Sequence, residues 1–218
     1  TDTDSLYVYQ EEYTVPEDPN KTRLVRTGFF AALELVPFDE GIVLPHEKTL
    51  AAPKVDRMKL MKSTQANISP VFGLYHENSG RIQKILQHTV QQKPLYETVT
   101  DADNTTHRLW RVTATDDVAV MKSALQKEKV MIADGHHRYE TALAYRDYVI
   151  NELGKQNDSV RFILMCLVDF DDSGLVVLPT HRLVSHAISQ EDLLAALDCY
   201  FDCEETSPEE LSAWVKTP

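Results

Sequence analysis

Glycine is scarce, at 7 of 218 residues, and the few present form neither a Walker loop nor a dinucleotide-binding fingerprint. Long apolar runs are missing too: none approaches the roughly 18 residues of a membrane span. No charged, apolar and small-residue leader opens the chain. No membrane association is therefore expected, and a cytoplasmic location is. Basic residues number 22 against 34 acidic, for a formal charge of −12, and they do not gather into a cluster. A nucleic acid would meet a repulsive overall field, so it is not an expected partner. Cysteines are 3 and odd in number. Cys166 sits in the apolar run Phe162–Val168 and reads as a small core residue. Cys199 and Cys203 share a helix face, but no nearby His or Cys completes a zinc set.

What is present suits an ordinary folded chain. The 43% of hydrophobic residues in 218 can bury a substantial core, read as a single domain over residues 1–218. The β-rich segments Leu6–Val15 and Thr22–Phe38 flank the breaker run Pro16–Asn20 and read as an antiparallel pair. The pattern then predicts a long connection from Asp39 to Pro53, a helix over Lys54–Asn67 with Val55, Met58, Leu60 and Met61 inward, and a strand over Val71–Tyr75. A helix over Arg81–Gln92 and strands over Leu95–Thr100 and Thr106–Val112 follow, then a helix over Asp116–Gln126. Later come a strand over Val160–Phe170, an antiparallel return over Leu175–Leu178, and a helix over Gln190–Phe201. These sum to an α+β fold, a mixed and largely antiparallel sheet with packed helices. The chain starts in a strand after a short polar lead and stops soon after the helix start at Ser207-Pro208. It is therefore expected to be a fragment of a longer chain.

The most informative stretch is Lys129-Val130-Met131-Ile132-Ala133-Asp134-Gly135-His136-His137-Arg138. A buried strand ends at Asp134-Gly135, and a helix running to about Leu153 begins at once, with Tyr139, Ala142, Leu143, Val149, Ile150 and Leu153 facing the core. Gly135 removes the Cβ where the backbone bends, and two histidines and an arginine occupy the first helical turn. Cationic groups there oppose the helix dipole unless an anion compensates, so phosphate or carboxylate is the expected guest. The plainer reading makes Asp134 the N-cap, Gly135 a turn residue and the histidines a solvated first turn.

Other polar phrases supply walls for such a site. The connection Gly41–Pro53 holds His46, Glu47, Lys48 and Thr49 between two prolines. Histidine followed by arginine occurs at His107-Arg108, His137-Arg138 and His181-Arg182; the first falls on a strand surface and the last where a strand ends. In a phosphate-centred site, Gly135, His136, His137, Arg138 and Arg182 bind the phosphoryl oxygens. Asp134 holds Mg²⁺ or orients the turn, and Glu47, His136 and His181 are candidate catalytic groups, with Glu47 as base. Such a set serves phosphoryl transfer to a hydroxyl. One rival from the residues stays open: a metal-assisted hydrolase in which His136 and Glu140, four apart on one helix face, chelate an ion with His46 or Glu47. The acceptor, the favoured nucleotide and the oligomeric state are not written in the sequence.

The phrases Gly41–Thr49, Gln65–Tyr75, Ala133–Asp147 and Leu178–Leu183, in that order, resemble domain-of-unknown-function family 1015, a prokaryotic family whose members are typically longer at both ends. The resemblance runs from about Leu6 to about Cys203 and brings no established activity with it. Over about twenty residues, the strand, Asp134–Arg138 and helix are similar to the phosphate-binding turn of the ParB and sulfiredoxin-like superfamily, which includes nucleotide-using partition proteins and the archaeal ADP-dependent free serine kinase. That likeness implies a nucleotide phosphate at the helix start, ADP or ATP with Mg²⁺, and with it the expected function of a nucleotide-dependent phosphotransferase acting on a small hydroxylated metabolite. The partition proteins that share the turn imply the rival, a non-catalytic nucleotide-gated regulator or protein-binding module. The likeness assigns no base, so Glu47 rests on chemistry alone.

Overall fold

In the computed structural model, the residues described are 4–16, 18–154, 158–178, 188–203 and 206–207. The chain divides into two compact units, residues 1–176 and 177–218, and each is taken by itself. The first unit is an eight-stranded mixed, mostly antiparallel sheet with helices. Its elements in chain order are β1 (Leu6–Thr14), β2 (Arg23–Glu34), β3 (Val43–Leu44), α1 (Ala51–Thr64), β4 (Val71–Tyr75), α2 (Arg81–Val90), β5 (Tyr96–Thr100), β6 (Thr105–Val112), α3 (Thr115–Leu125), β7 (Val130–Asp134), α4 (His136–Asp147) and β8 (Phe162–Asp169). The sheet order is β3-β7-β4-β8-β2-β1-β6-β5. This is an α+β protein, because its sheet is built mostly of antiparallel pairs with helices packed on it.

Side-chain alternation separates two faces of the sheet. Register places Trp110, Val8, Phe29, Leu167, Gly73 and Ile132 side by side across six strands. Except for glycine, these are buried core residues, and Ile82, Leu86, Val118, Met121, Tyr139 and Ala142 from α2, α3 and α4 join the same cluster. At Gly73 the packing leaves no room for a side chain, because a Cβ there would lie 2.6 Å from the Met165 sulfur. One residue along, the parallel row Arg111, Tyr7, Phe30, Cys166, Phe72 and Asp134 lies on the opposite face. Tyr7, Phe30, Cys166 and Phe72 are only half-buried there. The apolar alternation of β1 thus buries Leu6 and Val8 and leaves its tyrosines on a face packed less closely.

Several local expectations are corrected. Helix α1 starts at Ala51, so the Asp39–Pro53 connection is shorter than its composition implied and contains β3, which pairs with β7 in parallel. Val55 and Leu60 on α1 are 58% and 47% exposed; with Lys54, Arg57, Lys59 and Lys62 interleaved, the helix never had a clean apolar stripe. Helix α4 ends at Asp147 and passes into a π turn over Tyr148–Glu152. The wider turn breaks the 3.6-residue period, so Val149 is buried while Ile150 and Leu153 are exposed. Cys166 is half-buried on the face away from the helices, not in the core. Residues 175–178 make no return strand. Gly174 comes instead against β2, where a Cβ would lie 2.2 Å from the Val25 carbonyl. In the second unit the described helix is α5 (Gln190–Leu197), N-capped by Ser189, whose hydroxyl accepts from Asp192 N–H. It is shorter than expected and leaves Cys199 and Cys203 exposed beyond it. No helix among the described residues is long and apolar enough to cross a membrane.

Candidate functional site at the start of helix α4

The β7–α4 junction forms as its residues dictate. A β-bulge falls between the pairs Phe72–Asp134 and Gly73–Ile132 and re-aims the end of β7. Gly135 then takes φ +100° as the N-cap of α4, a conformation that L side chains rarely adopt. As a glycine it offers no capping oxygen to the first-turn N–H groups, and the first turn carries no acidic residue.

The loop after β3 folds onto this junction. Val43 and Leu44 pair with Val130 and Met131, and this fixes where the following residues fall. The ring of His46 bonds through Nε2 to the Ala133 carbonyl at 3.2 Å; a carbonyl only accepts, so that nitrogen carries the proton. The main-chain N–H of His46 donates to His136 Nε2 at 3.2 Å, and that of Leu50 donates to His137 Nε2 at 3.1 Å. Glu140, one turn on, accepts from Lys54 Nζ at 2.7 Å and from the Thr49 hydroxyl. Residues 46 to 54 are therefore laced along α4 by the side chains of His136, His137 and Glu140.

His136 is 1% exposed, and its protonation follows from its partners. Nε2 accepts, so the proton of the neutral ring is on Nδ1, which faces Glu47 Oε1 at 3.2 Å. Burial, helped by the neighbouring His46 ring, lowers its pKa below the usual histidine value against the pull of Glu47, Asp134 and Glu140. Glu140 is a contrasting case. Burial raises its pKa, but the bonds from Lys54 and Thr49 outweigh that and leave it below the usual carboxylate value. Glu47 keeps a side chain 53% exposed, so its carboxylate is both held and accessible.

The basic character of the helix start is largely answered within the protein. His136 is a neutral ring, and His137 accepts a main-chain bond. Arg138 pairs with Asp134 and also donates to the Pro70 carbonyl. Its guanidinium folds back over the turn, so a Cβ on Gly135 would lie 2.9 Å from Arg138 Nε. With both ring nitrogens of His136 engaged, any anion bound here meets main-chain N–H groups and Arg138, not that imidazole.

Of the residues singled out in the sequence, Glu47, Asp134, Gly135, His136, His137 and Arg138 come together. His181 and Arg182 lie outside the described residues. His107 faces Tyr9 and Thr100 on the sheet, at 2.7 and 2.8 Å, and does not join the junction. The chelating set imagined on His136 and Glu140 is not assembled: among the described residues, only the His76, Asp169 and Asp171 group brings three ligand atoms within 4.8 Å of one another. Asp134 is an exposed carboxylate at the strand end, and Mg²⁺ on a nucleotide needs one or two such groups beside the phosphates, so the donor set fits that ion. Sequence reasoning missed Lys54 and Thr49 as partners of Glu140, and the Pro70 carbonyl as partner of Arg138. Main-chain acceptors have no residue-type signature.

An eight-stranded α+β sheet with a polar loop clamped over one strand–helix junction defines the class. The chain matches the family described as "Protein of unknown function (DUF1015)" over residues 1–216, and it belongs to that family. No curated protein and no solved structure matches it.

Proposed function

We propose that this protein binds the phosphates of ADP or ATP at the start of α4 and transfers a phosphoryl group to a small hydroxylated metabolite. The observation that carries the reading is the contact of Glu47 with His136, the first residue of the glycine-capped helix: an accessible carboxylate is held at a helix start whose first turn also carries Arg138. The likeness of Asp134–Arg138 to the phosphate turn of the ParB and sulfiredoxin-like superfamily supports it. The nucleotide, with Mg²⁺ on its phosphates, supplies the phosphoryl group. Asp134 is the carboxylate placed to hold that ion, and Arg138 neutralises charge on the phosphates. Glu47, oriented by His136 Nδ1–H, accepts the proton of the acceptor hydroxyl as its oxygen bonds to phosphorus and the phosphoanhydride bond breaks.

Thermal melting with millimolar ADP or ATP and Mg²⁺ tests the reading. Saturation at 100 Kd adds about 2.7 kcal/mol to stability. The melting temperature should rise, Arg138→Ala should remove most of the rise, and Glu47→Gln should keep it while losing turnover. No rise with any nucleotide defeats the proposal, whereas binding without turnover in the native protein favours a nucleotide-gated regulator.

A further inference from the structure

A cleft of about 290 Å³ opens on the sheet face opposite the helix-packed core, lined by Tyr9, Glu11, Arg26, Phe30, Phe72 and Cys166. It is not remote from α4. Pro70 also lines it, and the Pro70 carbonyl is the group that Arg138 holds. Phe72, in its wall, is the register partner of Asp134.

The polar groups along the cleft are ordered by one another. Arg26 Nε donates to Glu11 Oε2 at 3.1 Å, and Nη2 reaches the same oxygen. Tyr9 donates its hydroxyl proton to Glu11 Oε1 at 3.0 Å and faces His107 Nδ1 at 2.7 Å. His107 Nε2 in turn faces the Thr100 hydroxyl at 2.8 Å. One proton order satisfies the whole chain: Thr100 donates to His107, His107 to Tyr9, and Tyr9 to Glu11. Arg26 Nη1 makes no bond among the described residues. The guanidinium lies 5.0 Å from the Phe72 ring centroid and 5.6 Å from that of Tyr13. Cys166 offers no nucleophile, because burial pushes its thiol up to about 12.

Half-buried rings of Tyr9, Phe30 and Phe72 around one unused guanidinium N–H suit a flat π-system that carries a hydrogen-bond acceptor. The cleft falls just below the roughly 300 Å³ at which pockets for whole drug-sized ligands begin, so it has room for one ring system and not for a complete nucleotide. We infer that it receives the base of the nucleotide, stacked against Phe72 and bonded by Arg26, with the sugar passing Pro70 toward α4. This inference rests on the phosphate site proposed above.

Calorimetric titration with ATP, with GTP and with inorganic tripolyphosphate, which has no base, separates the two ideas. The native protein should bind at least one nucleotide about tenfold or more tighter than tripolyphosphate, in keeping with one base–aromatic stack. Phe72→Leu should erase that advantage and leave tripolyphosphate binding unchanged, whereas Arg138→Ala should weaken both. Equal affinity for nucleotides and tripolyphosphate overturns the base pocket and leaves the phosphate site standing; no binding of either overturns both. If Phe72→Leu does not fold, photo-crosslinking of the native protein with 8-azido-ATP decides. Label on peptides carrying residues 70–72 or 26–30 supports the pocket, and label confined elsewhere overturns it.

Discussion

His136 and His46 are joined through the main chain: the N–H of His46 donates to His136 Nε2 at 3.2 Å, while Nδ1 of the same buried ring faces Glu47. One imidazole thus fixes two adjacent residues of the loop, one by its backbone and one by its side chain. His136→Ala removes both bonds and leaves a cavity in a fully buried position. A loss of about 2 to 4 kcal/mol in unfolding free energy is expected. Amide exchange at residues 46–50 should accelerate well beyond that of the sheet. Unchanged exchange in the loop would show that His136 does not hold it.

The protonation state of that ring has a pH consequence. The folded pKa of His136 lies below the ordinary histidine value of about 6.5, so below that value the unfolded chain binds a proton that the folded chain does not. Stability from this residue is fully present above about pH 6.5 and falls as the pH drops toward the folded pKa. Glu140, whose pKa is also lowered in the fold, adds a loss in the same direction at more acid pH. Urea denaturation at pH 7.5 and 5.5 should show lower stability at 5.5, with a smaller difference in His136→Gln. Equal differences in the two proteins would remove His136 from the account.

The sheet was legible because its strands carry their own signals. The pattern places Val71–Tyr75 with the bounds of β4, and the β1–β2 pair and the β5–β6 hairpin to within a residue or so, apart from a tail beyond Glu34 in β2; β3, of two residues, is too short to carry such a signal. Period-2 alternation and turn residues act locally, so one sequence suffices to see them. The junction was also visible, because Gly135 is the residue its φ demands and three cation-capable residues follow it. How their charge is handled was not visible. That depends on which loop atom faces each nitrogen, and His46 and Leu50 use main-chain N–H groups that every residue but proline possesses. The exposure of Val55 and Leu60 escaped detection for a related reason: an apolar side chain on a helix says nothing of whether another element covers it.

Gly135 itself is a sensitive position. At φ +100° an added Cβ is strained whatever the space, and it would lie within 3.1 Å of the Arg138 guanidinium. Gly135→Ala should cost about 1 to 3 kcal/mol and push Arg138 off the turn. Gly80 serves as control: it too is a left-handed N-cap, but its Cβ would meet nothing within 4 Å. Gly80→Ala should therefore lose stability but not anion affinity, whereas Gly135→Ala should lose both, as read by denaturation and calorimetric titration with tripolyphosphate. Equal anion affinity in the two variants would detach Gly135 from binding.

Asp134 has two roles that pull in opposite directions, and one substitution separates them. Its carboxylate, at the end of β7, pairs with Arg138 in the first turn of α4 while remaining largely exposed. Without a divalent ion, that carboxylate competes with phosphate for the guanidinium. Removing its charge should then tighten ADP binding by about two- to fivefold, the scale of an exposed ion pair. With Mg²⁺ the carboxylate becomes a ligand shared with the phosphates, so the same change should weaken binding. Titrating Asp134→Asn with ADP in chelator and again in millimolar Mg²⁺ should give shifts of opposite sign. Tighter binding in both conditions would mean that Asp134 only restrains Arg138; weaker binding in both would mean that the ion pair holds Arg138 in its anion-binding position.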